Sequence, residues 1–261
     1  MRRTLISVDP SDFPIPFRAF LQNAQVFDSS CSPEARVWYI QKDRGYFLKR
    51  AQKGSLKSEA EMTAYFHRLG LSAEVLAYHS AEQDWLLTAQ LRGEDCTHET
   101  YLADPKRLCE LLAAKLRELH DHPFANCPVP DRISGYIQTA TDNYTRGVFD
   151  SSYLPTHLQH LSATEAFALL CEGKSMLRCD TLLHGDYCLP NILLDGWVFS
   201  GFIDLGNGGV GDRHIDLFWG AWTLAFNLGT DAYRARFFDA YGRERIDPEV
   251  LDVIGLAEAF G

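Results

Sequence analysis

Hydrophobic spacing in the first third of the chain alternates between strand and helix periods. Ala35-Arg36-Val37-Trp38-Tyr39-Ile40 is a strand-like run, Lys42-Asp43-Arg44-Gly45 has turn chemistry, and Tyr46-Phe47-Leu48-Lys49 is a second run. Together they predict a hairpin over residues 35–49. Met62, Tyr65, Phe66 and Leu69 then fall at i, i+3, i+4 and i+7, which predicts a helix over 56–69 with Gly70 just past its end. Val75 to Tyr78 and Trp85 to Thr88 are short apolar runs expected to be strands. Residues 1–90 therefore read as a layer of strands with one long helix.

Beyond that point the helical period dominates. Asp104-Pro105 is an N-cap followed by proline at the first helical position. Leu108, Leu111, Leu112, Leu116 and Leu119 mark an amphipathic helix ending near His120. Residues 121–135 carry Pro123, Pro128, Pro130 and Gly135 and read as a loop. From 136 onward helices are expected, with one exception. Ile192-Leu193-Leu194, Asp195-Gly196 and Trp197-Val198-Phe199 spell a β-hairpin around an Asp-Gly turn. The expected organisation is α+β with two lobes: a β-sheet lobe over 1–90 and a larger, mainly helical lobe over 91–261. Internal repeats and low-complexity segments are lacking in the sequence.

Composition narrows the class. With 46% hydrophobic residues the chain can build a core. No uncharged apolar run reaches the ~18 residues of a membrane span, and Met1-Arg2-Arg3-Thr4-Leu5 lacks the apolar stretch of a signal peptide. Seven scattered cysteines without a C-x-x-C suggest neither a zinc knuckle nor a disulfide framework, so a cytoplasmic location is expected. Charge is uneven. Residues 1–90 hold 11 basic and 10 acidic residues, whereas 91–261 hold 14 and 25. That balance argues against a nucleic-acid partner and favours a cationic small molecule at the second lobe. No obligate protein partner is evident.

The segment His184-Gly185-Asp186-Tyr187-Cys188-Leu189-Pro190-Asn191 sets an aspartate and an asparagine five residues apart, leading into the second hairpin. That hairpin returns as Ile203-Asp204-Leu205-Gly206 and brings a second carboxylate back. Two carboxylates and an amide oxygen make a hard, oxygen-rich set suited to Mg²⁺. Protein kinases use the same D-x-x-x-x-N followed by a D-x-G aspartate. His184 is expected to be a packed loop residue rather than a base. In the first lobe Lys49 ends a strand and Glu59 opens the next helix, the order of the kinase lysine–glutamate pair. Either alone would read as a surface charge. Ser29-Ser30-Cys31-Ser32-Pro33 precedes the first hairpin strand; it is not glycine-rich, but its hydroxyls and N–H groups suit phosphate oxygens.

With these residues in order, the chain resembles the aminoglycoside phosphotransferase family, most closely its 3′-phosphotransferases. Ser32-Pro33, Phe47-Leu48-Lys49, Glu59, Leu116 to His120, His184-Gly185-Asp186, Asn191, Ser200 to Gly206 and the Asp212 to Asp216 stretch carry the resemblance over nearly the whole chain. It implies a protein-kinase-like fold and ATP-dependent phosphorylation of an aminoglycoside hydroxyl, with Asp186 as the catalytic aspartate. It also implies that Asn191 and Asp204 hold Mg²⁺, that Lys49 meets the ATP phosphates, and that Glu59 fixes Lys49. Ser32 would belong to the nucleotide loop, and Thr88, Ala89 and Leu91 to an adenine-binding hinge. His184 and Asp216 would support the catalytic loop from behind, and Glu258 would face the acceptor. The sequence departs from the 3′-phosphotransferases in placing Asn207 where an arginine follows the I-D-L-G motif. Near a second such arginine it reads Trp219-Gly220-Ala221-Trp222, and its tail is Glu258-Ala259-Phe260-Gly261. Rival readings are a kinase of choline, homoserine or a sugar-amine adduct, a nucleotide-binding pseudokinase, and a metal hydrolase built on His184, Asp186 and Asp204.

Overall fold

In a computed structural model describing residues 3–261, the hairpin expected at 35–49 forms the middle of a six-stranded antiparallel sheet. Its strands are β1 (Thr4–Ile6), β2 (Gln25–Asp28), β3 (Ala35–Gln41), β4 (Tyr46–Gln52), β5 (Val75–Ser80) and β6 (Gln83–Ala89), in the order β1-β2-β3-β4-β6-β5. Successive side chains alternate between faces. Trp38, Ile40, Leu48, Trp85 and Leu87 fill one face, where Trp38 and Trp85 stack at 5.7 Å. A short helix, α1 (Ile15–Leu21), closes this core with Phe17 and Leu21. The other face presents the row Val37–Lys49–Leu86 and is covered by α2 (Lys57–Arg68), where Leu56 and Ala60 pack on Leu86.

Elements β1, α1 and β2 are absent from the sequence expectation. The two strands are only three and four residues long, and Pro10, Pro14 and Pro16 interrupt any periodic window there.

The chain divides into two compact units, one running through His98 and including Pro190–Asn207, the other made of Glu99–Leu189 and Gly208–Gly261. The expected division at residue 90 had assigned 190–207 to the second lobe. These residues instead pack with the first unit, for a reason visible in the ladder. The strands β7 (Glu94–Asp95), β9 (Ile192–Asp195) and β10 (Val198–Phe202) form a second antiparallel sheet in the order β10-β9-β7. Gly93 makes this pairing feasible: at φ +85° a Cβ would sit 1.9 Å from the Leu194 carbonyl oxygen. At the end of β10, Phe202 N–H donates to Leu71 O (2.8 Å) and Ser72 Oγ to Phe202 O (3.0 Å). The hairpin turn also differs from the expectation. Asp195 pairs with Val198, so Gly196 and Trp197 are the two turn residues, both at positive φ (55° and 70°). That is the twist a two-residue hairpin turn requires, and Trp197 is not in the strand.

The second unit is helical, with α3 (Glu99–Leu102), α4 (Pro105–His120), α5 (Arg132–Thr145), α6 (Ala163–Gly173), α7 (His214–Leu228), α8 (Arg234–Tyr241) and α9 (Pro248–Glu258). Asp104 caps α4 through Arg107 N–H, as its sequence suggests. Asp131 caps α5 through Ser134 N–H, so the expected loop ends four residues early and Gly135 lies inside a helix. A two-stranded ribbon of β8 (Thr181–Leu183) and β11 (Gly209–Gly211) interrupts the expected helices. Among the described residues no helix is long and apolar enough to cross a membrane.

Candidate active site

In the first unit the α2-covered face of the sheet encloses a cavity of about 540 Å³, a volume typical of small-molecule sites. Lys49, Glu59, Asn191 and Asp204 line it, with Ser32 at one border and Thr88, Ala89 and Leu91 at another. The N–H of Ala89 bonds Glu74 O (2.9 Å) and that of Gln90 bonds Gly45 O (3.0 Å), so these two amides hold the sheet together at that border.

Lys49 is the cation of the cavity wall. Its Nζ donates to Glu59 Oε2 (2.8 Å), Glu59 Oε1 (3.0 Å) and Asp204 Oδ1 (2.8 Å). Burial works to lower the ammonium pKa, but the Asp204 and Glu59 carboxylates outweigh it and raise the group above its ordinary value. Lys49 is therefore charged at neutral pH. The ten-residue step from Lys49 to Glu59 is closed by the turn between β4 and α2, which sets Glu59 in the helix's first turn.

Asp204 arrives by a different route. Ile203 N–H donates to Asn191 O (3.0 Å), which ties the end of the second hairpin to its beginning. Asn191 and Asp204 both line the cavity as a result. Asp204 has φ +56°, a left-handed conformation that aspartate tolerates better than most residues and that recurs at functional sites. Among the described residues no group of three or more His, Cys, Asp or Glu side chains gathers as a metal site by itself.

In the second unit the loop after β8 is fixed from several sides. Asp216, fully buried on α7, accepts the N–H groups of His184 and Gly185, both at 2.8 Å. Its Oδ2 also lies 3.2 Å from His120 Nε2, and His120 Nδ1 lies 2.8 Å from the Tyr241 hydroxyl. Burial lowers the His120 pKa despite Asp216, so the imidazole is neutral, donates to Asp216 and accepts from Tyr241. His184 is buried, and its Nδ1 accepts the Asp186 N–H at 3.2 Å. Tyr187 donates its hydroxyl to Leu112 O (2.8 Å), and Leu189 N–H donates to Thr223 Oγ1 (3.1 Å). Asp186 itself is half-buried. Burial, with the Asp186 carboxylate beside it, raises the Cys188 thiol well above its ordinary value, so this cysteine is no ready nucleophile.

Glu258 ends α9 and is only 6% exposed. Its Oε1 accepts from Tyr136 Oη (2.8 Å) and Trp219 Nε1 (2.9 Å). Burial, reinforced by the Asp186 charge and opposed by these two hydrogen bonds, raises its pKa to about 7. The sequence indicated an acid near the end of the chain but not its burial.

Sequence reasoning gave no role to Tyr136, Tyr187, Trp219 or Thr223. Each is an aromatic or hydroxyl residue whose apolar context reads as core, and its polar contact spans 34 residues or more. The lysine–glutamate–aspartate cluster lies in one unit, whereas Asp186, His184, Asp216 and Glu258 lie in the other.

The sequence profile of the phosphotransferase enzyme family matches residues 32–254. A probable aminoglycoside 3′-phosphotransferase of Lactococcus lactis subsp. lactis (strain IL1403) is 48% identical over 257 residues, 98% of each chain. An aminoglycoside 3′-phosphotransferase of Niallia circulans is 31% identical over 219 residues, covering 82% of this chain and 83% of that one. Among solved structures, an aminoglycoside-3′-phosphotransferase of type VIII superposes with a TM-score of 0.78 at 24% identity, covering 94% of this chain and 97% of that one. A Streptomyces rimosus aminoglycoside phosphotransferase in complex with ADP and streptomycin gives 0.67 at 23%, covering 85% and 90%. The likeness extends the α+β, kinase-like reading to the whole fold.

Proposed function

Because the chain belongs to the phosphotransferase enzyme family, we propose that it transfers the γ-phosphoryl group of ATP to a hydroxyl of an aminoglycoside. The observation that carries this is the Lys49–Glu59–Asp204 cluster, set in the wall of a nucleotide-sized cavity that Asn191 also lines.

Lys49 binds phosphate oxygens as a fixed cation, and Glu59 holds its ammonium in place. Ser32 and its loop face the phosphates, and the apolar border at Thr88, Ala89 and Leu91 takes the base. Asn191 and Asp204 offer an amide oxygen and a carboxylate, hard donors that suit Mg²⁺, which draws its remaining ligands from water and phosphate. When bound, Mg²⁺ supplies charge neutralisation to the phosphate oxygens. Asp186 orients the acceptor hydroxyl and accepts its proton late in the transfer. Asp216 and His184 act behind it, fixing the loop backbone. The rest of the rate enhancement comes from positioning.

The acceptor class rests on charge and kinship. Glu258 and Asp186 interact in the same unit, residues 91–261 carry a net excess of acids, and the relatives above bear aminoglycoside names. An acceptor with several ammonium groups meets that field favourably. ADP release coupled to an indicator enzyme, run across aminoglycosides, choline, homoserine and neutral sugars, tests the proposal. Turnover with aminoglycosides well above all others supports it. Turnover with none of them, or better with a neutral alcohol, defeats it.

A further inference from the structure

The second unit contains a cavity of about 460 Å³ that phosphoryl transfer leaves unused and that shares no lining residue with the nucleotide-sized one. Its wall forms where three pieces of chain converge: the segment leading into β8, the start of α7 and the start of α9. Three guanidiniums line it, those of Arg178, Arg213 and Arg245. So do three carboxylates, those of Asp180, Asp212 and Asp247, and the His214 imidazole.

These charges do not cancel in pairs, because the fold already supplies donors to the carboxylates. Asp212, only 4% exposed, accepts the His214 N–H (3.0 Å), His214 Nδ1–H (2.6 Å) and the Arg178 N–H (2.9 Å). His214 in turn accepts the Asp247 N–H on Nε2 at 2.9 Å, so the ring is a neutral tautomer. Asp247 caps α9 through the Glu249 N–H (3.0 Å), and Asp180 accepts the Thr181 hydroxyl (2.8 Å). The guanidiniums are less well matched. Arg245 pairs with Asp121 at 2.6 Å, a carboxylate it shares with Arg117. Arg213, half-buried, meets only neutral oxygens, Thr181 Oγ1 at 3.3 Å and the Tyr241 hydroxyl. Among the described residues neither Arg213 nor Arg178 has an acid within ion-pair distance. A partly desolvated guanidinium gains most from an anion that satisfies several of its N–H groups at once, and its planar fork matches the oxygens of a phosphate.

We propose that this cavity is an anion site that takes a phosphate group, inorganic or carried on a small organic molecule, through the guanidiniums of Arg213 and Arg178 with Arg245 as a third donor. The volume exceeds that of one tetrahedral oxyanion and leaves room for an organic part. The site stands apart from the aminoglycoside reading, since every residue of its wall belongs to the second unit and Lys49 is not among them.

The test is isothermal titration of inorganic phosphate and of glucose 6-phosphate into the full chain at low ionic strength, for the wild type and for Arg213→Gln, Arg178→Gln and Lys49→Met. The wild type is expected to bind at least one probe with a Kd of about 1 mM or lower. Arg213→Gln should weaken that binding about tenfold and the exposed Arg178→Gln about threefold. Lys49→Met removes the cation of the other cavity and should keep the binding that Arg213→Gln loses. Arg178 is exposed, so its substitution leaves the core intact and serves as the control for folding effects at Arg213. Tighter binding of glucose 6-phosphate than of phosphate, or the reverse, identifies the carrier, and either supports the site. Binding that Lys49→Met abolishes while both arginine variants keep it would place the phosphate in the nucleotide cavity and overturn the proposal. Failure of both probes to bind the wild type would overturn it as well.

Discussion

Lys49 Nζ stands 2.8 Å from Asp204 Oδ1 although 155 residues separate the two in sequence. On its other side the same ammonium holds Glu59, also at 2.8 Å. The two carboxylates are not equivalent. The Glu59 side chain is 11% exposed and that of Asp204 is 50% exposed. Glu59 is the more buried partner, whereas Asp204 keeps half of its side chain exposed while holding Lys49. Glu59→Gln should therefore lower kcat/KM for ATP by about 10- to 100-fold, the range of a hydrogen bond to a charged group, with an unchanged circular dichroism spectrum. An unaffected kcat/KM would show that Lys49 needs no orienting partner.

Asp186 and Asp204 are expected to fail differently when removed. Asp186→Ala should lower transfer by about 100- to 10,000-fold, the usual contribution of a general base, and leave Mg·ATP affinity close to wild type. Asp204→Ala should weaken Mg·ATP binding as well. Isothermal titration of Mg·ATP into both variants separates the roles. Equal losses of nucleotide affinity would contradict the assignment of the two carboxylates.

Asp216 bears on stability. Its carboxylate accepts two backbone N–H groups and meets His120 in a fully buried setting. Asp216→Ala leaves these donors without an acceptor, and buried unsatisfied groups cost about 1–3 kcal/mol each. A loss of about 3–5 kcal/mol in urea unfolding is expected. A loss below about 1 kcal/mol would mean that water takes over the role and that the loop does not depend on Asp216.

The legibility of this protein in its sequence varied with the physical range of each signal. That Lys49, Glu59, Asn191 and Asp204 are neighbours could be read because their spacing is local, or because a hairpin and a strand–helix step return the chain on itself. The sheet hairpin and α4 could be read because their periods run uninterrupted. Helix α1 and strands β1 and β2 could not, since prolines and short strands leave no window for a period. The grouping of 190–207 with the first unit depends on the β7–β9 pairing, a contact of some hundred residues' separation with only two ladder positions in β7. The burial of Glu258 depends on Tyr136 and Trp219 closing over it from two other helices, which no local pattern announces.

With Glu258 proposed to meet the acceptor, its burial is expected to make acceptor binding depend on pH. With its pKa raised to about 7 by burial, the Glu258 carboxyl is protonated and neutral on the acid side and ionised on the alkaline side. A cationic acceptor gains an attractive charge as pH rises through that value. The acceptor KM should fall as pH rises from about 6 to 8, and Glu258→Gln should flatten the profile while raising KM at the alkaline end. A KM profile that Glu258→Gln leaves unchanged would remove this residue from acceptor recognition. Salt should also weaken acceptor binding through the exposed acids of the second unit more than through buried Glu258, because screening acts over ~8 Å in solvent.

Phosphoryl transfer from ATP to an aminoglycoside hydroxyl is tested most directly by following the phosphoryl group itself. The protein, Mg²⁺ and ATP labelled at the γ-phosphorus are incubated with an aminoglycoside, and the products are separated and identified by phosphorus NMR and mass spectrometry. Label is expected in a phosphate monoester on the aminoglycoside, with its formation slowed about 100-fold or more in Asp186→Ala. Label found only in inorganic phosphate, or transferred to a neutral alcohol in preference to every aminoglycoside, would contradict it.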